Sequence, residues 1–207
     1  MVELLIAVAI VAVLVAVIAP VGNSLVSRSH TIHCARNLRQ IGMASMLYAG
    51  DNHMTLPQSM HQKSAGALSW RVSLQPYAAG TVTFKCKQDP VPSRPNTYVL
   101  NDYLTVMPSG APADFNFSIL AKIDRPEATL MFAEASTSYL SADHFHFAQY
   151  YGQKFPAAAF AAQVAVEAHG SGGNYLFADG HVETLPWTEV QALLRKPGSR
   201  FLNPAGK

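Results

Sequence analysis

Sixteen consecutive apolar residues, Leu4 to Ala19, stand between Glu3 and Pro20. At about 1.5 Å of rise per residue they make about 24 Å of helix. That is short of the ~30 Å bilayer core, and counting Val2 and Val21 brings it to a marginal span. The run is apolar all the way round, a pattern that argues against a buried helix of a soluble domain. A cleavable signal peptide would need a basic start and a small-residue cleavage site, and no Lys or Arg precedes the run. A retained membrane anchor accounts for the pattern best. Glu3 then needs a reason, because a carboxylate beside such a segment is costly unless it is paired or solvated at headgroup level. The residue alone leaves both readings open.

The chain has 207 residues, room for one domain plus an anchor. Its charged fraction, 14%, falls below the ~25% usual for soluble domains. A net charge of +2 with mixed signs offers no nucleic-acid surface. Arg28, Arg36 and Arg39 follow the apolar run, and by the positive-inside rule they would hold the C-terminal body in the cytoplasm. Cys34 and Cys86 are the only cysteines. One disulfide and two buried free thiols both suit that count.

Beyond Pro20 the helical signal continues. Cys34, Leu38, Ile41, Ala44 and Tyr48 recur at helical spacing on one stripe, interrupted by the polar Asn37, and Gly50-Asp51-Asn52 ends the pattern. The expectation is one helix of about 45–50 residues, ~70 Å long, kinked at Pro20. Residues 1–22 form its membrane or assembly part, 23–52 its amphipathic continuation, and 53–207 an α+β head. In the head, Thr81–Phe84, Thr97–Leu100 and Thr129–Phe132 read as strands, while the Ala-rich stretch Phe155–Ala168 is ambiguous, with Pro156 placed to suit the first turn of a short helix. Asn174–Leu185 reads as a hairpin with a two-residue type I′ turn at Asp179-Gly180, which would put Tyr175, Phe177, Val182 and Thr184 on one face. Trp187–Leu194 closes with a short helix, and a loose tail is expected from Lys196. The predicted fold is α+β, a long N-terminal helix packed on an antiparallel sheet.

In these residues the chain resembles a type IV prepilin or type II secretion pseudopilin: a Glu before an apolar helix, then Pro seventeen residues on. Its head is similar to the bacterial prepilin-type group with an H-x9-D-G domain, through His169 and Asp179-Gly180 in HGSGGNYLFADGHVETL. CARNLRQIGMASMLYAGDN, W-x3-L-x-PY, FKCKQDP, TYVLNDYL and IDRPEATLMFAEA match in order, although Lys87 stands where Pro commonly follows the cysteine. The resemblance implies a pilin-like fold and a non-enzymatic subunit, anchored in the bacterial inner membrane with its head outside the cytoplasm. Its partners would be other copies, other pilin-like subunits and a prepilin peptidase. It also implies that a basic leader ending in Gly and two residues of the processed protein precede Met1, which would resolve the topology conflict. Glu3 would pair with the methylated N-terminal amine of a neighbouring subunit, and Pro20 would let the helix flex between membrane and filament. The rival for Pro20 is an ordinary helix end at the membrane boundary. A different reading of the whole chain is a membrane-tethered extracytoplasmic binding module that does not polymerise.

The remaining candidates are histidines and carboxylates. His169, Asp179 and His181, with Glu183 nearby, would form a metal site or a metallohydrolase centre if they converged on one point. Asp-Gly is also what a turn demands. The residues themselves call for no cofactor; the resemblance admits calcium at Asp179 and backbone carbonyls. Asp143, His144 and His146 put two imidazoles on one side of a strand, a pattern that fits either a metal or a half-buried strand. No nucleophile, phosphate-loop or H-E-x-x-H motif occurs.

Overall fold

A computed structural model describes residues 1–60, 69–78, 80, 83–105, 117–140, 143–146 and 157–206, with backbone only within 17–24. Helix α1, Val2–Asp51, runs 50 residues, about 75 Å at ~1.5 Å per residue. It continues through Pro20, so the proline does not mark a helix end. The stop at Asp51 is made downstream. Asn52 donates its amide to Tyr48 O at 2.8 Å, and His53 and Met54 take the left-handed φ values of 54° and 59°. Gly50 stays helical.

Along α1 the environment changes once. Every side chain from Met1 to Ala16 is exposed, whereas Cys34, Leu38, Ile41 and Ala44 are buried. Residues 1–16 are therefore not buried against the rest of the described chain. Among the described residues, no helix is long and apolar enough to cross a membrane. Asn37, polar on an apolar stripe, is buried because its amide donates to Lys85 O at 3.1 Å.

Five strands form one sheet in the order β3-β1-β2-β4-β5: β1 Tyr98–Asn101, β2 Leu130–Glu134, β3 His144–Phe145, β4 Gly172–Phe177 and β5 Val182–Pro186. The sheet is mixed, not antiparallel throughout, because β3 pairs parallel with β1. Both faces are covered. On one, α1 packs with Tyr98, Leu100, Phe132 and Leu176, joined by Trp70 and Leu74 of helix α2, Trp70–Leu74. On the other, Val99, Ala133, Tyr175 and Phe177 meet helices α3, Ala157–Gln163, and α4, Trp187–Arg195. Alternate residues of β1 and β2 thus point to different layers. Burial on both sides explains why these strands read as nearly unbroken apolar runs.

The structure departs from the sequence reading at several points. Thr83 and Phe84 lie in irregular backbone, while 81–82 fall outside the described residues. Within the ambiguous stretch 155–168 a helix spans Ala157–Gln163 and gives way at Val164, which bridges Ala135; Phe155 and Pro156 lie outside the described residues. The β4–β5 turn is longer than two residues. Phe177 donates its N–H to His181 O at 2.9 Å, leaving Ala178, Asp179 and Gly180 as the loop, with Gly180 at φ 92°. Three-residue hairpin loops favour a left-handed glycine at the loop's end. The extra residue changes the pairing: Leu176 stands opposite Val182 and Tyr175 opposite Glu183. Val182 therefore shares a face with Leu176, not with Tyr175 and Phe177.

The tail is not loose. Phe201, Leu202, Asn203 and Pro204 are buried. Leu130 donates its N–H to Phe201 O, and Asn101 donates its amide to both Leu130 O and Leu202 O, each at 2.8 Å.

Candidate functional site

Glu3 lies on the exposed first turn of α1, and it has no ion-pair partner among the described residues. Ten large apolar side chains from Val2 to Val15 are exposed around it. This half of α1 has no packing surface within the described chain; its second half is welded to the head.

That weld is covalent. Cys34 on α1 and Cys86, in the loop before β1, are joined, with their Cα atoms 5.1 Å apart and a sequence separation of 52. On the chain-entropy account, a cross-link over such a loop stabilises the fold by about 4 kcal/mol.

The motif histidine sits against this cross-link. His169 occupies the turn before β4, where its N–H donates to Gly172 O at 2.9 Å. Its side chain is fully buried and Nδ1 meets Gln88 Oε1, two residues past Cys86. Nε2 lies 3.0 Å from Glu134 Oε1 in hydrogen-bond geometry and 2.8 Å from Oε2, which completes no well-directed bond. Glu134, last residue of β2, is as buried as the histidine. Burial pushes its carboxyl above the ordinary glutamate range, and the hydrogen bonds and charge of His169, with the Asn174 amide, only partly offset that. One ligand-capable atom from each of Cys34, Cys86, Glu134 and His169 lies within 4.8 Å of all the others.

Asp179 and His181 are elsewhere. Strand β4 separates them from His169, six residues or about 20 Å at ~3.3 Å per residue. Asp179 Oδ1 accepts from His181 N at 3.1 Å and faces His181 Nδ1 at 2.5 Å. The His181 ring stacks on Phe177, with centroids 4.4 Å apart and planes 5° from parallel. Glu183 is 3.6 Å from His181 Nε2. The proposed convergence of His169 with Asp179 and His181 does not form, because they belong to opposite ends of one strand.

Asp143, His144 and His146 do gather. The rings of His144 and His146 meet edge to face at 4.4 Å. Asp143, however, is committed to the backbone and to α2. It accepts from Ser69 Oγ at 2.7 Å and from Met60 N at 3.1 Å, while His144 Nδ1 lies 2.7 Å from Oδ1. Its carbonyl accepts from Trp70 Nε1 at 2.6 Å. Burial raises the carboxyl, but the hydrogen bonds from His144, Ser69 and Met60 N–H outweigh it and leave the group below the ordinary aspartate range. Ser69 donates to the aspartate and not to an imidazole, so Ser69, His144 and Asp143 do not form a nucleophile-base-acid relay.

One buried pair escaped sequence reading. Arg94 sits in the Asp89-to-Thr97 loop with Nε 2.7 Å from Asp89 Oδ2 and Nη2 2.7 Å from Oδ1. The Asp89-Pro90 turn signal drew attention to the backbone and hid the charge. A cavity of about 210 Å³ opens beside this pair, lined by Cys86, Gln88, Thr97, Glu134 and Ala168 among others. The chain matches no family model, no curated protein and no solved structure.

Proposed function

We propose that the chain is a pilin-like structural subunit, anchored in the bacterial inner membrane and assembled through α1 into a type IV pilus or type II secretion pseudopilus. The observation that carries this reading is the division of α1. Residues 1–16 expose an apolar surface all round, while residues from Cys34 onward pack into the head. Burying one Val, Leu or Ile side chain stabilises by about 1.5–3 kcal/mol. The ten exposed ones on residues 2–15 thus represent roughly 15–30 kcal/mol, an upper bound. One desolvated carboxylate costs several kcal/mol. Burial of this segment in lipid or among copies of itself therefore wins even with Glu3 aboard, and the residual cost favours a cationic partner for Glu3. In lipid, association between helices rests on packing and polar pairing, so Glu3 supplies register as well as charge compensation.

The test is Glu3→Ala in the native host. The variant is expected to remain in the membrane fraction while its recovery in sheared filaments or cross-linked multimers falls at least tenfold. Normal incorporation would remove Glu3 from assembly. Retention in the membrane with wild-type protein that never forms multimers would favour the tethered binding module instead. That rival has one feature to draw on, a groove of about 340 Å³ between β5, α4 and the C-terminal segment, lined by Arg125, Glu183, Glu189 and Arg200.

A further inference from the structure

We propose that Cys34, Cys86, Glu134 and His169 form a tetrahedral zinc site when their disulfide is reduced, so that this point of the fold alternates between a covalent clamp and a metal clamp. Each member of the donor set, two thiolates, one imidazole and one carboxylate, is a ligand type that zinc takes, and four of them fill a tetrahedral sphere. The donors come from four separate elements: α1, the loop before β1, the end of β2 and the turn before β4. Their atoms lie within 4.8 Å of one another. Zinc–ligand bonds of about 2.0–2.3 Å set tetrahedral donor separations of roughly 3.3–3.8 Å. Binding therefore needs the outer donors to draw in by about an ångström, and the two bonded sulfurs to part once reduced.

Two details point to a metal more than to a mere buried ion pair. Gln88 Oε1 faces His169 Nδ1, so the amide carbonyl accepts the Nδ1 proton and directs Nε2 at Glu134. Metal-ligating histidines are held by their second nitrogen in this way. Glu134 Oε2, side chain 1% exposed, lies 2.8 Å from that same Nε2 without a well-directed hydrogen bond of its own, which leaves a buried carboxylate oxygen free to take an ion. The neighbouring cavity, lined by Cys86, Gln88 and Glu134, provides an entry path.

The exchange balances. A dithiol reductant delivers two electrons and two protons to the Cys34–Cys86 bond and becomes a disulfide itself. The two thiols then lose their protons to solvent as zinc binds, because only thiolates are effective ligands. Bonded sulfurs offer no thiolate, so the two states exclude each other. The inference does not depend on α1 entering a filament.

The experiment uses the detergent-solubilised full chain, freed of metal, with cobalt(II) as the spectroscopic probe and zinc(II) as competitor. Reduction is by a phosphine, which takes the oxygen of water as the disulfide becomes two thiols and is removed without air before metal is added. The reduced chain is expected to bind one cobalt per molecule, with sulfur-to-cobalt charge transfer and tetrahedral d–d bands that zinc erases. The oxidised chain is expected to bind none. Gln88→Leu should weaken affinity about tenfold or more while keeping the thiolate bands, and Glu134→Gln should weaken it and alter the d–d envelope. Zinc should also slow alkylation of the thiols in the unmutated reduced chain, a readout that needs no variant to fold. Failure of the reduced chain to take up one cobalt would overturn the proposal. So would uptake indifferent to both Glu134→Gln and Gln88→Leu, since the cysteines alone would then account for it.

Discussion

Arg94 and Asp89, five residues apart, form an ion pair in which each side chain is only 3% exposed. Arg94 Nη1 goes on to donate to the carbonyls of Ala135 and Ser136 at 3.3 and 3.1 Å, and Asp89 Oδ2 accepts from Thr97 Oγ1 at 2.5 Å. Thr97 Oγ1 in turn accepts from Cys86 N at 3.1 Å. One buried pair therefore ties the cysteine loop to the end of β2. Breaking such a pair on one side strands a charge, at about 3–5 kcal/mol. Asp89→Asn is expected to destabilise the fold by that amount in denaturant unfolding, with the slope unchanged. A loss under about 1 kcal/mol would show the pair to be solvated.

Asp143 gives the fold a dependence on acidity. Its carboxyl titrates below the ordinary aspartate value in the folded chain, so its contribution is fully present above the unfolded value of about 3.9. It is lost as pH falls through the lower folded value. The stability gap between the wild type and Asp143→Asn should be widest above about pH 4 and close below it. A gap that stayed constant across that window would deny the shift.

Phe201 is the hub of the aromatic layer behind the sheet. It lies 6.0 Å from Tyr175, 6.1 Å from Phe160 and 6.1 Å from Phe177, centroid to centroid, and is 2% exposed. Phe201→Ala should cost about 3–5 kcal/mol, the range for emptying a buried aromatic site. Ending the chain before Ser199 should cost more, since Leu130 and Asn101 would lose their partners too. Wild-type thermal stability in the truncated chain would mean that the tail does not belong to the core.

What could be read ahead of the structure was what repeats locally. The stripe from Cys34 to Ala44 recurs at helical spacing, and all four of its first members are buried. The strand centres at Val99 and Phe132 carried their β-branched and aromatic character in sequence. Hairpin register was beyond reach, because it hangs on whether Ala178 joins the turn, and one residue there swaps the faces of Val182 and Thr184. The C-terminal segment was illegible for another reason: its hydrogen bonds go to Leu130 and Asn101, far back in the chain. His169 was visible as a motif residue, but its partner Glu134 was not. Only the adjacency of β2 and β4 brings the two together.

The position of Cys34 has a mechanical meaning. Among the described residues it is the first fully buried side chain of α1, counting from the N-terminus, and it is the one bonded to the head. A pull along the helix axis therefore reaches a covalent link before it loads the apolar contacts of Leu38, Ile41 and Ala44. Tension is handed to the Cys86 loop and, through Thr97 and Asp89, to the sheet, so α1 cannot slide out of its seat by shearing one turn past the next.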